Sequence, residues 1–283
     1  MIPAAFGYQR PASLDEAVAA LAAANGSAKV IAGGMSLLPL MKLRLASADT
    51  LIDIGRLKEL KGARSTADGG FEMGALTTYA EALAATSLDF ARDCLLGIGD
   101  VQVRNRGTVG GAMAHCDPAS DAPALALALD YSAVLRSARG ERTVPLDGFF
   151  EGAFQTAMAT DEILVALRRP PLPAGATGAY RRLEQPASGY SIVGVAVVVA
   201  RGADGRINHA RVAITGVHDH PYRAPEVEAA LIDTTGTAED VAAAAQHATV
   251  DVEVNSDIHA DSAYRGQMAI VYTRRAIEAA LGR

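Results

Sequence analysis

Residues Ile31 to Leu45 read IAGGMSLLPLMKLRL, and residues Arg104 to Ala124 read RNRGTVGGAMAHCDPASDAPA. In the first stretch a short β-type run, Lys29–Ala32, ends abruptly at Gly33-Gly34 and passes into Met35, Ser36 and Leu37. Paired glycines let a backbone turn sharply and approach a ligand closely, and successive N–H groups in such a turn form an anion-binding nest. The second stretch repeats the device at Thr108, Val109, Gly110, Gly111 and Ala112, and adds two acids, Asp117 and Asp121. Taken alone, each also fits a plain tight turn. Neither is a GxGxxG fingerprint or a Walker A loop, so neither a dinucleotide-binding Rossmann unit nor a P-loop follows. Two such loops in one half of a chain suggest a ligand with an extended diphosphate. The chain carries a net charge of −6, so a diphosphate needs neutral N–H donors to offset repulsion. An acid placed like Asp121 suits a ribose or ribityl hydroxyl.

Outward from these loops, helical and strand patterns alternate. Ser13-Leu-Asp-Glu16 and Thr78-Tyr-Ala-Glu81 are capping boxes that open helices. Asn25-Gly26 closes the first helix. Thr50–Ile54, Phe71–Gly74, Tyr131–Arg136 and Asp161–Leu167 read as strands, Pro118–Asp130 as an apolar helix, and Gly97–Gly111 as a loop. The proline-rich segment from Pro170 to Gly178 cannot continue a ladder, and the domain boundary is placed there. This gives a first domain over 1–176 and a second over 177–283. In the second, Ile192–Ala200 and Ala210–Thr215 are strands around Asp204-Gly205, followed by helices over Pro225–Ile232, Ala238–His247 and Ser262–Leu281. The fold class is α+β, with the second part a small antiparallel sheet carrying helices on one face.

The 283 residues are half apolar and one fifth charged, which is globular composition. Net acidity argues against nucleic acid. Aromatics are only 5% and Trp is absent, which argues against base-stacking platforms. Cys94 and Cys116 stand alone without a CxxC, which excludes an iron–sulfur cluster or structural zinc held by this chain. No signal peptide or membrane span is read, and the expected location is cytoplasmic.

With these motifs in place, the sequence resembles the FAD-binding medium subunit of molybdenum hydroxylases, the family of the aerobic carbon monoxide dehydrogenase medium subunit and the xanthine dehydrogenase flavin domains. The resemblance covers nearly the whole chain and includes the tail SAYRGQMAIVYTRRAIEAAL, Ser262 to Leu281. It implies a first domain of the PCMH, vanillyl-alcohol-oxidase-like type and a second like the C-terminal domain of carbon monoxide dehydrogenase flavoproteins. It implies non-covalent FAD held by Ala32, Gly33, Gly34, Met35, Ser36 and Leu37 and by Thr108, Val109, Gly110, Gly111 and Ala112. Asp121 is implied at the ribityl region, with Leu164 and Tyr190 beside the isoalloxazine. The implied partners are a small [2Fe–2S] subunit and a large molybdopterin subunit in a dimer of heterotrimers. Three departures stand out. Met35 replaces a common Gln, Ala112 replaces Asn or Ser, and Ser188-Gly189-Tyr190 keeps the family's aromatic without its acid.

The other conspicuous residues have plain readings. His218-Asp219-His220 is read as a solvated turn rather than a metal site. His115 suits a structural hydrogen bond as well as a redox role. Lys42 and Arg44 suit phosphates or a helix surface equally. Arg274, Arg275 and Glu278 form a solvated helix face, and Val195–Val199 a core strand. The implied function is electron transfer from partner [2Fe–2S] clusters through FAD to an external acceptor. A stand-alone FAD oxidoreductase, or an assembly subunit that has lost FAD, are the alternatives.

Overall fold

In the computed structural model, which describes residues 2–283, the chain begins with β1 (Gly7–Gln9), α1 (Leu14–Ala23), β2 (Ala28–Ile31), α2 (Leu37–Lys42) and β3 (Thr50–Asp53). β1 and β2 flank β3 in a parallel three-stranded sheet. Ala17, Val18 and Leu21 share one face of α1 and bury it with Ile52 and Ile54, the spacing an amphipathic helix requires. Ser13 accepts the Glu16 N–H at 3.2 Å, but the Glu16 carboxylate accepts from Ala12 N rather than from Ser13. Only half of the expected capping box forms there.

The chain continues through β4 (Ala63–Ser65), β5 (Phe71–Gly74), α3 (Tyr79–Ala85), α4 (Asp89–Gly97), α5 (Val101–Arg104), α6 (Val109–His115) and α7 (Asp121–Ala128). It then forms β6 (Ser132–Ser137), β7 (Gly140–Pro145), β8 (Phe150–Gly152), β9 (Gln155–Thr156) and β10 (Ile163–Arg169). Five of these strands make an antiparallel sheet in the order β4-β5-β10-β6-β7, and β8 and β9 form a separate hairpin. The box at Thr78 and Glu81 closes in both directions. The segment Gly97–Gly111, read from sequence as a loop, instead contains α5, capped by Asp100, and the cap of α6 at Thr108. These helices have four and seven residues, too short to display a 3.6-residue period.

The remainder comprises β11 (Thr177–Glu184), β12 (Ser191–Arg201), β13 (Ile207–Thr215), β14 (Tyr222–Arg223), α8 (Pro225–Leu231), α9 (Ala238–Ala245) and α10 (Ser262–Ala280). The strands form one antiparallel sheet in that order. Val195, Val197 and Val199 pack with Ala269, Ala276 and Ile277 of α10. The alternate residues Ala196 and Val198 join the other core with Leu125 and Leu127 of α7. All eight residues of α7 are buried, as expected of a helix apolar on every side. It packs against β12 and β13 and so welds the two halves. Among the described residues no helix is long and apolar enough to cross a membrane.

Candidate functional site

A cleft of about 780 Å³ runs along the first half of the chain and reaches the turn at Ser188–Tyr190. Ala32–Leu37, Thr108, Gly110, Gly111, Ala112, Asp121, Leu164 and Tyr190 all line it. Of the residues expected from sequence, only Val109 faces elsewhere, into the core. Lys42 and Arg44 do not line the cleft.

The two glycine motifs reach this surface by different routes. β2 ends at Ile31, and residues 33–36 belong to no helix or strand. Among the described residues, the N–H groups of Gly33, Gly34, Met35 and Ser36 donate to no main-chain or side-chain acceptor. Four consecutive free donors beside a cleft form an anion cradle. Gly34 has φ +76°, a conformation that favours glycine. At Gly33 the constraint is proximity, since a Cβ there would stand 2.0 Å from the Arg106 carbonyl oxygen. The glycine therefore brings the two motifs together backbone to backbone, a reason the sequence did not reveal.

At the second motif the donors are consumed internally. Val109 N donates to Thr77 O and Gly110 N to Ala75 O, both at 3.0 Å, and Ala112 N donates to Thr108 O at 3.1 Å. Gly111 N donates to the Thr108 hydroxyl at 3.1 Å. Thr108 is thus the N-cap of α6 and its hydroxyl oxygen already holds a partner. A Cβ on Gly110 would lie 2.4 Å from that of Ala75, so this glycine also serves chain-to-chain packing. The motif read as a second nest is a cleft wall with its main-chain donors taken.

Asp121 opens α7 and is 5% exposed. One of its oxygens accepts from the Tyr180 hydroxyl and from Ser191 Oγ at 2.5 Å, and the other accepts from Arg182 at 2.7 Å. Burial pushes its carboxyl up from the usual range, against the pull of these three donors. Burial also pushes the Tyr180 phenol up, which keeps it a donor. Three of the roughly four acceptor positions of a carboxylate are therefore filled by protein. Asp121 acts here as a clasp between α7 and β11–β12, with little capacity left for a sugar hydroxyl. Arg182 also donates to Gly189 O at 3.1 Å and to Glu184 at 2.6 Å, so the clasp holds the turn that carries Tyr190. Tyr180, Arg182 and Ser191 were not singled out from sequence. The Tyr-Arg-Arg run of β11 interrupts apolar alternation, and β11 itself was not read as a strand.

Tyr190 is 49% exposed and projects from this turn into the cleft surface. Leu164 lies where β10 shifts register against β6 between Leu164 and Ala166. A bulge re-aims side chains, and here Leu164 and Leu167 join one core while Val165 and Ala166 join another. His115 and Phe154 also line the cleft, their rings 5.0 Å apart. Phe154 holds φ +58°, uncommon for a bulky residue, with its N–H on Cys116 O at 3.0 Å. No sequence signal marked it. At the two departures, Met35 and Ala112, apolar side chains line the cleft.

Away from the cleft, the nitrogen and oxygen atoms of His218, Asp219 and His220 come within 4.8 Å of one another. His220 Nδ1 lies 2.6 Å from Asp219 Oδ1, and His218 Nδ1 lies 2.7 Å from Glu253 O. This is a self-bonded, half-buried turn rather than a fully solvated one. Arg274 and Glu278 pair at 2.8 Å on an exposed face, and Val195–Val199 are fully buried, both as expected.

Comparison with known proteins assigns this architecture. The family model for the FAD binding domain in molybdopterin dehydrogenase matches residues 4–172, and that for the CO dehydrogenase flavoprotein C-terminal domain matches residues 178–280. The chain is 39% identical to the carbon monoxide dehydrogenase medium chain of Hydrogenophaga pseudoflava, over 100% of this chain and 99% of that one. It is 33% identical to subunit alpha of the 6-hydroxypseudooxynicotine dehydrogenase complex of Paenarthrobacter nicotinovorans, over 100% and 97%. The solved Hydrogenophaga pseudoflava carbon monoxide dehydrogenase that lacks the Mo-pyranopterin moiety superimposes with a TM-score of 0.95 at 40% identity, covering 100% of this chain and 99% of that one. A match of both family models across nearly the whole length, on a fold with this cleft, means that the chain belongs to the FAD-binding medium-subunit family of the molybdenum hydroxylases.

Proposed function

We propose that this chain is the electron-transfer subunit of a heterotrimeric molybdenum hydroxylase, holding FAD non-covalently in the cleft. It would take electrons from the [2Fe–2S] clusters of a small partner subunit and deliver them to an external acceptor. The observation that carries the reading is the run of four undonated N–H groups at Gly33–Ser36, because a diphosphate is what such a row suits on an acidic chain. The cleft volume lies within the range of cofactor sites, about 300–1,000 Å³. When bound, FAD supplies the redox chemistry, and the protein supplies position, electrostatics and exclusion of water.

The residues divide that work. Gly33–Leu37 hold the diphosphate through main-chain donors, so Met35 in place of a polar side chain leaves the main contacts intact. Tyr190 and Leu164 flank the flavin ring, with the Asp121–Arg182 clasp fixing the turn that presents Tyr190. Thr108–Ala112 form the wall. The substrate is oxidised on a large molybdopterin chain, which suits a family whose relatives are named for carbon monoxide and for 6-hydroxypseudooxynicotine. The reading includes a domain boundary at 176/177, a dimer of heterotrimers and a cytoplasmic setting.

The test is flavin reduction. Denaturation should release the flavin into solution. With the small and large partner chains present, substrate should bleach the flavin's visible band, and the isolated chain should not respond. Rapid bleaching of the isolated chain would replace the relay with a stand-alone oxidoreductase.

A further inference from the structure

Behind the cleft lies a second cavity of about 360 Å³. α6 separates the two: Gly110, Gly111 and Ala112 line the first, while Val109 and Met113 line the second. The rest of the second wall comes mainly from the β4–β5 hairpin, β10, α3, α4 and α7, and is largely apolar. Its single charged lining residue is Arg169, which is half-buried. That guanidinium donates to Pro170 O at 2.9 Å and stands 5.5 Å from the Phe71 ring centroid. No carboxylate among the described residues pairs with it. Tyr131, 5% exposed, lines the same cavity. Burial pushes its phenol up to about 12, and only Arg169 acts on it in the other direction.

The cavity opens to solvent at a rim that includes the exposed Ser65, Ala85 and Ser87, and its deeper wall is apolar at Leu95, Val109, Met113 and Leu167, a surface on which burial of an apolar body is favourable. Beside Arg169 the lining carries the Tyr131 phenol and the hydroxyls of Ser65, Thr86 and Ser87, and of these groups the guanidinium alone is a charged, donor-only group. A fitting occupant therefore has an apolar body and an acceptor head. The unpaired cation selects an anionic head over a neutral one and repels an ammonium. We propose that this second cavity binds an amphipathic monocarboxylate, such as a medium-chain fatty acid, with its alkyl chain in the interior and its carboxylate on Arg169. The site is distinct from the FAD cleft.

The experiment titrates the full-length, FAD-loaded protein with octanoate and with 1-octanol by calorimetry, below micelle-forming concentrations. Octanoate should bind saturably to one site, and octanol at least tenfold more weakly. Arg169→Gln should weaken octanoate at least tenfold and leave octanol unchanged, while Arg169→Lys should restore most of the octanoate affinity. Ala85→Leu, which adds bulk at the exposed rim of the cavity, should weaken octanoate binding without lowering the thermal midpoint. Absence of saturable octanoate binding, equal binding by Arg169→Gln, or undiminished binding by Ala85→Leu would overturn the assignment. Displacement of flavin by octanoate would move the ligand to the first cleft and overturn it as well.

Discussion

The loop Ala32–Leu37 and the α6 entry Thr108–Ala112 are built from similar residues, two glycines close to a hydroxyl, and they differ in where their N–H groups go. In the loop, four successive donors have no protein acceptor. In the α6 entry, Thr77 O, Ala75 O, Thr108 O and the Thr108 hydroxyl take four successive donors. Yet the two are one construction, because Gly33 lies against the Arg106 carbonyl. The second motif braces the first, and the first faces the cleft with its donors free. Buried main-chain donors need acceptors, so tracing each donor to its acceptor separates a binding loop from a scaffold where residue types alone do not.

The largest expected effect breaks the brace itself. Gly33→Ala places a Cβ 2.0 Å from the Arg106 carbonyl oxygen, and Gly110→Ala places one 2.4 Å from the Ala75 side chain. Neither contact is relieved without moving backbone. Each substitution should cost about 3 kcal/mol or more of stability, read as a lowered thermal midpoint. Gly33→Asp should be little worse than Gly33→Ala. If Ala were tolerated at Gly33 and only Asp were harmful, charge repulsion with a ligand, and not packing, would explain the glycine.

A smaller effect sharpens the contrast between ligand contact and scaffold. Ser36 makes no side-chain cap bond at the start of α2, whereas Thr108 caps α6. Thr108→Ala should therefore lose about 1 kcal/mol of stability with FAD affinity per folded molecule nearly unchanged. Ser36→Ala should leave stability unchanged and weaken FAD by a net hydrogen bond, about 1 kcal/mol or several-fold in Kd. Thermal denaturation and fluorescence titration with FAD read the two axes separately. The opposite pattern would exchange the roles of the two motifs.

Much of this was legible before the structure. The strand Phe71–Gly74, the capping box at Thr78, the valine-rich strand and the C-terminal helix follow from local periodicity and cap chemistry, which act over a few residues. The cleft-lining set was legible through the resemblance to the family. What the sequence hid lies in contacts between distant segments. Gly33 is constrained by Arg106, Asp121 is engaged by Tyr180, Arg182 and Ser191, and Phe154 is held by Cys116. No window of neighbouring residues contains both partners of any of these pairs. β11 was missed for a related reason, since Arg182 looks solvated in sequence while its partner lies 61 residues away.

The smallest expected effect is one of pH, and it too divides the two motifs. The donors of the loop are main-chain amides, which do not titrate. α6, by contrast, ends on His115. Burial pushes the His115 imidazole below its ordinary value of 6.5, with Lys29 adding to the shift and Asp117 opposing it. Burial outweighs the favourable field at a helix C-terminus, which would hold the proton on. A histidine whose folded pKa lies below its unfolded one takes up its proton first in the unfolded chain. Stability therefore falls as pH drops through about 6.5 toward the folded value and levels off below it. His209 is shifted the same way, burial being the largest cause, whereas Asp121, raised by burial, contributes with the opposite sign. Comparing wild type with His115→Gln cancels both background contributions. The variant should lose less stability between pH 7 and pH 5, while FAD affinity per folded molecule stays flat across the same range in both proteins. A pH-independent difference between the two proteins would mean that His115 is not shifted. An affinity that fell with His115 protonation would place its ring against the cofactor instead of against Phe154.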